Sequence, residues 1–103
     1  MAGNPNYLHR MSVLYCLRDL GKALGPEQTT QRIVPVIVKA SDDPVPNIRF
    51  VAAKILQQLQ PLMTQQAMER DAAPCLNALR QDDDADVRFY ADVAAHNLGI
   101  ATA

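Results

Sequence analysis

The sequence predicts an all-α chain, a short solenoid of stacked antiparallel helix pairs, and three observations carry that reading. The chain repeats itself. Shifted by 39 positions without a gap, it aligns Pro35 with Pro74, Asp43 with Asp82, Ile48 with Val87 and Arg49-Phe50 with Arg88-Phe89. A second shift of 39 carries Arg49 back to Arg10, Pro44 to Pro5 and Leu59 to Leu20. The segment after each shared turn has helical spacing, with apolar residues at i, i+3, i+4, i+7 and i+8. Finally, the 49% hydrophobic content includes only three Tyr, two Phe and no Trp, so Ala, Leu, Val, Ile and Met carry the apolar mass. That balance favours helices.

Taken in order, residues 4–24 form the second helix of a truncated repeat. Its stripe, His9, Ser12, Val13, Cys16, Leu17 and Leu20, is weakly apolar. We expect Val13, Leu17 and their neighbours to be partly exposed or covered by another copy, which makes self-association through this first helix an expected property. Gly25 suits the C-terminal cap of that helix and Pro26 opens the next. A complete repeat then spans 26–62. Its first helix has the stripe Ile33, Val36, Ile37 and Ala40, with Pro35 expected to impose a kink. Its second has Ile48, Val51, Ala52, Ile55, Leu56 and Leu59, with Asn47 expected as the N-cap. The terminal repeat, 64–101, restates this plan. Ala72, Cys75, Leu76 and Leu79 match the first helix, Pro74 the kink and Asp86 the cap. Val87, Tyr90, Ala91, Ala94, Ala95 and Leu98 match the second helix. A period near 40 built of helix pairs is the signature of an α-α superhelix of the HEAT or armadillo type. Residues 1–103 thus read as one segment of about two and a half repeats, whose first three residues look like a start placed within a longer pattern.

Composition narrows the function classes. A net charge of -1 from ten basic and eleven acidic residues gives no broad attraction to nucleic acid or anionic lipid. No apolar run approaches the roughly 20 residues of a membrane span. Cys16 and Cys75 stand apart, without a CxxC or a secretory leader, so both read as inert core thiols of a reducing compartment. The expected location is cytoplasmic, with the nucleus as a second site. Neither His9 nor His96 has metal-ligand neighbours. The acidic run Asp82, Asp83, Asp84, Asp86 fails as an EF-hand loop, because Val87 and Val93 fall where Gly and Glu are required. No nucleophile elbow, phosphate-binding glycine loop or HExxH is present. The expectation is a chain that is not an enzyme and takes no cofactor and no metal.

Arg10, Arg49 and Arg88 lie in the first turn of a helix, where the macrodipole disfavours a cation. They need acceptors, and the turn aspartates Asp43 and Asp82 of the same or an adjoining repeat can supply them as a ladder.

The strings NPNYLHRM, DDPVPNIRFVAAKILQQLQPL and DDDADVRFYADVAAHNLG resemble the last HEAT repeats of the scaffold, or A, subunit of protein phosphatase 2A. That resemblance spans nearly the whole chain. It implies a non-catalytic HEAT-repeat solenoid that holds the phosphatase catalytic subunit through the turns joining the two helices of each repeat. Regulatory B-type subunits would be held only by N-terminal repeats absent here. Carried onto this sequence, the implied partner-binding residues are Asn6, Tyr7, His9 and Arg10, then Pro44, Val45, Asn47 and Arg49, then Asp83, Asp84 and Asp86. Asn4 replaces the aspartate found at Asp43 and Asp82, and Pro46 and Asp83 depart individually from the family pattern. The rival expectation is another HEAT adaptor or transport receptor binding a different protein.

Overall fold

Local chemistry sets where each helix begins and ends. The computed structural model describes residues 7–100, and the described residues are helical with short turns between. Helix α1, Tyr7–Leu24, stops at Gly25, whose φ of 94° is open to glycine and strained for other residues. Pro26, at the first helical position, starts α2 (26–40) without loss of a needed donor. Helix α3 is Pro46–Gln58, followed by a 3-10 turn at Gln60–Leu62. Thr64 then caps α4 (65–79) by accepting from the Ala67 amide at 3.0 Å, and α5 is Ala85–Asn97. No described helix is long and apolar enough to cross a membrane.

The kinks expected at Pro35 and Pro74 take a specific form. Immediately before them, Thr29–Ile33 and Met68–Ala72 are π-helical, closed by Val34 N–H to the Thr29 carbonyl and Ala73 N–H to the Met68 carbonyl. A proline cannot donate to the carbonyl four residues back, and its ring collides with that carbonyl. One extra residue in the turn relieves both problems without ending the helix.

The expected caps shift by two residues. Asn47 and Asp86 lie inside α3 and α5, whose N-cap positions are Val45 and Asp84. Asp84 accepts from the Asp86 and Val87 amides at 2.9 and 3.1 Å. Val45 has no acceptor side chain. Pro46 at the first helical position leaves one fewer unpaired amide at the start of α3.

Helices α1, α3 and α5 lie side by side in one layer. In the other, α2 packs on α3, α4 on α5, and α4 also meets α2. Every residue of the α3 stripe is buried, as is every residue of the α5 stripe except half-buried Tyr90. The first copy differs, because no helix within the described residues pairs with α1 as α2 pairs with α3. Val13 and Leu20 are 41% and 46% exposed, while Leu17 is half-buried against the core. Cys16, expected in the core, is exposed, although Ile55 and Ala94 at the equivalent positions are fully buried. Val36 is also exposed, against expectation, whereas its equivalent Cys75 is buried. Burial pushes the Cys75 thiol pKa up, an effect larger than the opposing hydrogen bond with Ser41, while the Asp42 charge adds to it.

Helices α1 and α2 come into close contact at Gly21. The Thr29 hydroxyl donates to the Gly21 carbonyl at 3.0 Å. A Cβ on Gly21 would stand 2.9 Å from Thr29 Oγ1, 3.3 Å from Ile33 Cδ1 and 3.4 Å from Leu59 Cδ2. Gly21→Ala gains about 1 kcal/mol of helix propensity but overpacks this contact, which typically costs about 1–3 kcal/mol. The expected outcome in urea unfolding is a net loss of about 1 kcal/mol. A variant as stable as the parent would show that α1 and α2 separate freely.

Candidate functional site

The two inter-helix turns are built alike. After α2, backbone amides of Ser41, Asp42 and Asp43 donate back to Val38, Lys39 and Ala40, each at 3.1 Å. After α4, Gln81 and Asp82 repeat the arrangement with Ala78 and Leu79, again at 3.1 Å. Asp43 then accepts from the Val45 amide at 2.9 Å, and Asp82 from the Asp84 amide at 2.9 Å. Each aspartate thereby closes its own turn through a local side-chain bond.

Arginines join these turns into a row. Arg10 Nε and Nη2 donate to the two Asp43 carboxylate oxygens at 2.7 and 3.0 Å. Arg49 Nε and Nη2 donate to Asp82 at 2.9 and 3.0 Å, while its Nη1 reaches back to the Asp43 and Pro44 carbonyls at 2.9 and 3.1 Å. The expected ladder is therefore present, and its ion pairs run between adjoining repeats. The aspartate side chains are only 11% and 13% exposed, and fork-on-fork geometry makes these charge-assisted bonds stronger than ordinary surface pairs. Burial pushes the Asp43 carboxyl pKa up, but hydrogen bonds from Arg10 and the Val45 amide, with the charges of Arg10 and Arg49, outweigh it. Asp43 thus titrates below the usual carboxylate range. Asp82 is lowered in the same way: burial acts upward, and the hydrogen bonds from Arg49 and the Asp84 amide, with the charges of Arg49 and Arg88, overcome it.

The structure brings most of the expected partner-binding residues to this edge. Asn47 Nδ2 donates to the Tyr7 hydroxyl at 3.4 Å, linking the first two copies. His9, Pro44, Asn47, Asp83 and Asp86 are exposed, while Tyr7, Val45 and Asp84 are half-buried. Arg10 and Arg49 are committed to the ladder. Asn6 lies outside the described residues. Among the described residues no group of His, Cys, Asp or Glu could hold a metal ion; Asp82 faces Arg49 and Asp84 caps α5.

Two neighbouring features are not evident from the sequence alone. Phe50 and Phe89, 39 residues apart, flank Tyr90 with ring centroids 5.0 and 5.2 Å away, and Lys54 Nζ lies 4.9 Å from the Tyr90 ring centre. A 39-residue alignment does show the Phe pair, but Tyr90 reads there as a core position. An apolar groove of about 310 Å³ also opens beside the ladder, where Val13, Leu14, Val36 and Ile48 line a gap flanked by Arg10, Asp43 and Lys39.

The sequence is similar to that of known proteins. The HEAT repeat family model matches residues 33–63, the second half of α2 through α3 and the turn after it. The A-type regulatory subunit of protein phosphatase PP2A from Schizosaccharomyces pombe is 36% identical over 63 residues, 61% of this chain and 11% of that protein. Its Saccharomyces cerevisiae counterpart is 32% identical over 92 residues, 84% of this chain and 14% of that protein. The beta isoform of the human 65 kDa A-type regulatory subunit of serine/threonine-protein phosphatase 2A is 42% identical over 57 residues, 55% of this chain and 10% of that protein. The chain thus spans 10–14% of the length of these curated relatives.

Two outcomes follow from the ladder. Arg49→Ala breaks both the inter-repeat pair and the closure of its own turn, so chemical unfolding should show a loss of about 2 kcal/mol. An unchanged midpoint would reduce Arg49 to a surface contact. The second concerns acid. Asp43 and Asp82 titrate lower folded than unfolded, where the value is about 3.9. Their stabilisation is therefore complete above that pH and disappears as pH falls through the folded values. A chain carrying both Asp43→Asn and Asp82→Asn should start less stable at neutral pH and lose less than the parent between about pH 4 and 2. Parallel acid profiles for the two chains would contradict this assignment.

Proposed function

For a HEAT-repeat chain similar to the regulatory A subunits of protein phosphatase 2A, we propose a non-catalytic scaffold segment whose ridge of turns holds the phosphatase catalytic subunit. The observation that carries this reading is the ladder itself. Arg10 to Asp43 and Arg49 to Asp82 hold successive turns at one edge of the stack, so the exposed Pro44, Asn47, Asp83 and Asp86 are ordered before any partner arrives. A preordered surface loses little conformational entropy on association, which favours binding through a shallow and largely polar ridge. The relatives bear the names of regulatory subunits, which supports a scaffold in place of a catalyst.

The test is retention of purified phosphatase 2A catalytic subunit by the immobilised 103-residue chain. The parent should retain it. Combined Asn47→Ala, Asp83→Asn and Asp86→Asn changes, all outside the ladder's arginine–aspartate pairs, should weaken retention by about tenfold or more, equal to about 1.4 kcal/mol, with only a small loss of melting temperature from the weakened first-turn charge of α5. A folded parent chain that retains no catalytic subunit would overturn the proposal. Retention unaffected by the triple change would move the contact away from the turns.

A further inference from the structure

Arg88 is the third member of the ladder, and half of it is in use. Its Nη1 donates to the carbonyls of Asp82 and Asp83 at 2.7 and 3.0 Å, as Arg49 Nη1 donates to Asp43 and Pro44. In Arg10 and Arg49 the remaining edge, Nε with Nη2, grips a carboxylate. In Arg88 that edge has no acceptor among the described residues, and the residue is exposed. The two carbonyls fix the guanidinium plane. What is left is an oriented fork whose matching ligand appears twice within this chain. That ligand is an aspartate whose carboxylate also folds a turn by accepting the backbone amide two residues on.

The neighbouring side chains limit what can occupy the fork. One turn beyond Arg49 and Phe50, both of which reach toward α5, Ala53 is fully buried. Asp92 stands at the equivalent place on α5, paired with Arg80 at 2.8 Å and 68% exposed. Another helix pair stacked on α5 as α5 stacks on α3 would strip water from that carboxylate, at a large desolvation cost. Phe89, next to Arg88, is 61% exposed and offers an apolar platform that needs no such burial. The occupant that fits covers the turn end of α5 and leaves Asp92 wet.

We propose that the free Nε and Nη2 edge of Arg88 binds an aspartate carboxylate on a turn of a partner protein, with Phe89 receiving the partner's adjacent apolar side chain. This extends the ridge by one position and does not depend on which protein the ridge holds. The probe is an acetylated, amidated peptide of sequence SDDPVPN, the turn that Arg10 already grips, added to the full chain at low ionic strength. Arginine Nε–Hε signals are followed by NMR.

The Arg88 signal should move saturably, with a dissociation constant on the order of 10 mM for this single contact. The Arg10 and Arg49 signals should stay in place because their forks are filled. Exposed Arg32, which has no side-chain acceptor among the described residues, should respond more weakly because nothing orients it. Asparagine in place of the peptide's second aspartate should weaken the response by about tenfold. No saturable Arg88 shift by about 50 mM peptide, an equal response from the asparagine peptide, or an equal response at Arg32 would each overturn the proposal. An Arg88 signal that moves with the chain's own concentration, without peptide, would identify a second copy as the occupant and overturn it as well.

Discussion

A solenoid has no sheet or closed barrel to hold its turns in line, so the position of each turn depends on what ties it to the next. Here the tie is one guanidinium. Arg49 closes the Asp43–Pro44 turn with Nη1 and grips the Asp82 carboxylate of the following turn with Nε and Nη2. The aspartate is equally committed, since it holds its own turn through an amide two residues on. Removing either partner would disturb two turns at once. The placement of these arginines in the first helical turn, unfavourable to the dipole when considered alone, is compensated by acceptors on both sides.

The same dependence on neighbours governs the apolar layers. Positions 39 residues apart have the same periodicity but different burial, because burial is conferred by the adjoining helix. Ile55 and Ala94 are fully buried where Cys16 is open, and Cys75 is covered where Val36 is not. The groove beside α1 and the exposure of Leu8, Val13, Leu20 and Leu24 follow from the same cause. Stability in such a stack is roughly a sum of each helix pair and its contacts with the next, so α1 contributes less than α3 despite its greater length.

What could be read from the residues divides along these lines. The repeat register, the α3 stripe and the arginine–aspartate ladder were legible because each depends on identity at a fixed stride. The caps were not. Asn47 and Asp86 are good capping residues in the wrong place, and only the turn geometry, with Pro46 as first helical residue and Asp84 accepting two amides, shows where the helices start. Pro35 and Pro74 announced a distortion, but the choice between a kink and a π-helical turn depends on whether the next turn can stay packed, and Ile33, Val34 and Ala72 show that it does. Cys16 and Val36 depart from expectation because periodicity identifies a face without showing whether anything covers it. The half-used state of Arg88 was illegible for the same reason: three arginines at one stride look equivalent, and only their neighbours distinguish them.

The ladder also decides the character of the surface it orders. By pairing Arg10 with Asp43 and Arg49 with Asp82, it leaves each of these charges largely neutralised at the edge. Among the described residues of these two turns and the helix starts that follow them, the exposed acidic charges are Asp42, Asp83 and Asp86, with Arg88 as an oriented cation at the far end. A partner complementary to this edge would offer basic groups along most of its length and one carboxylate beside an apolar residue at the Arg88 end. Such an arrangement has a direction, because sliding the partner by one repeat would place its carboxylate against the closed Arg49–Asp82 pair, where the Nε and Nη2 edge is already filled and like charge repels. The regular repeat supplies rigidity, and the rung left unfilled among the described residues would supply register to such a partner.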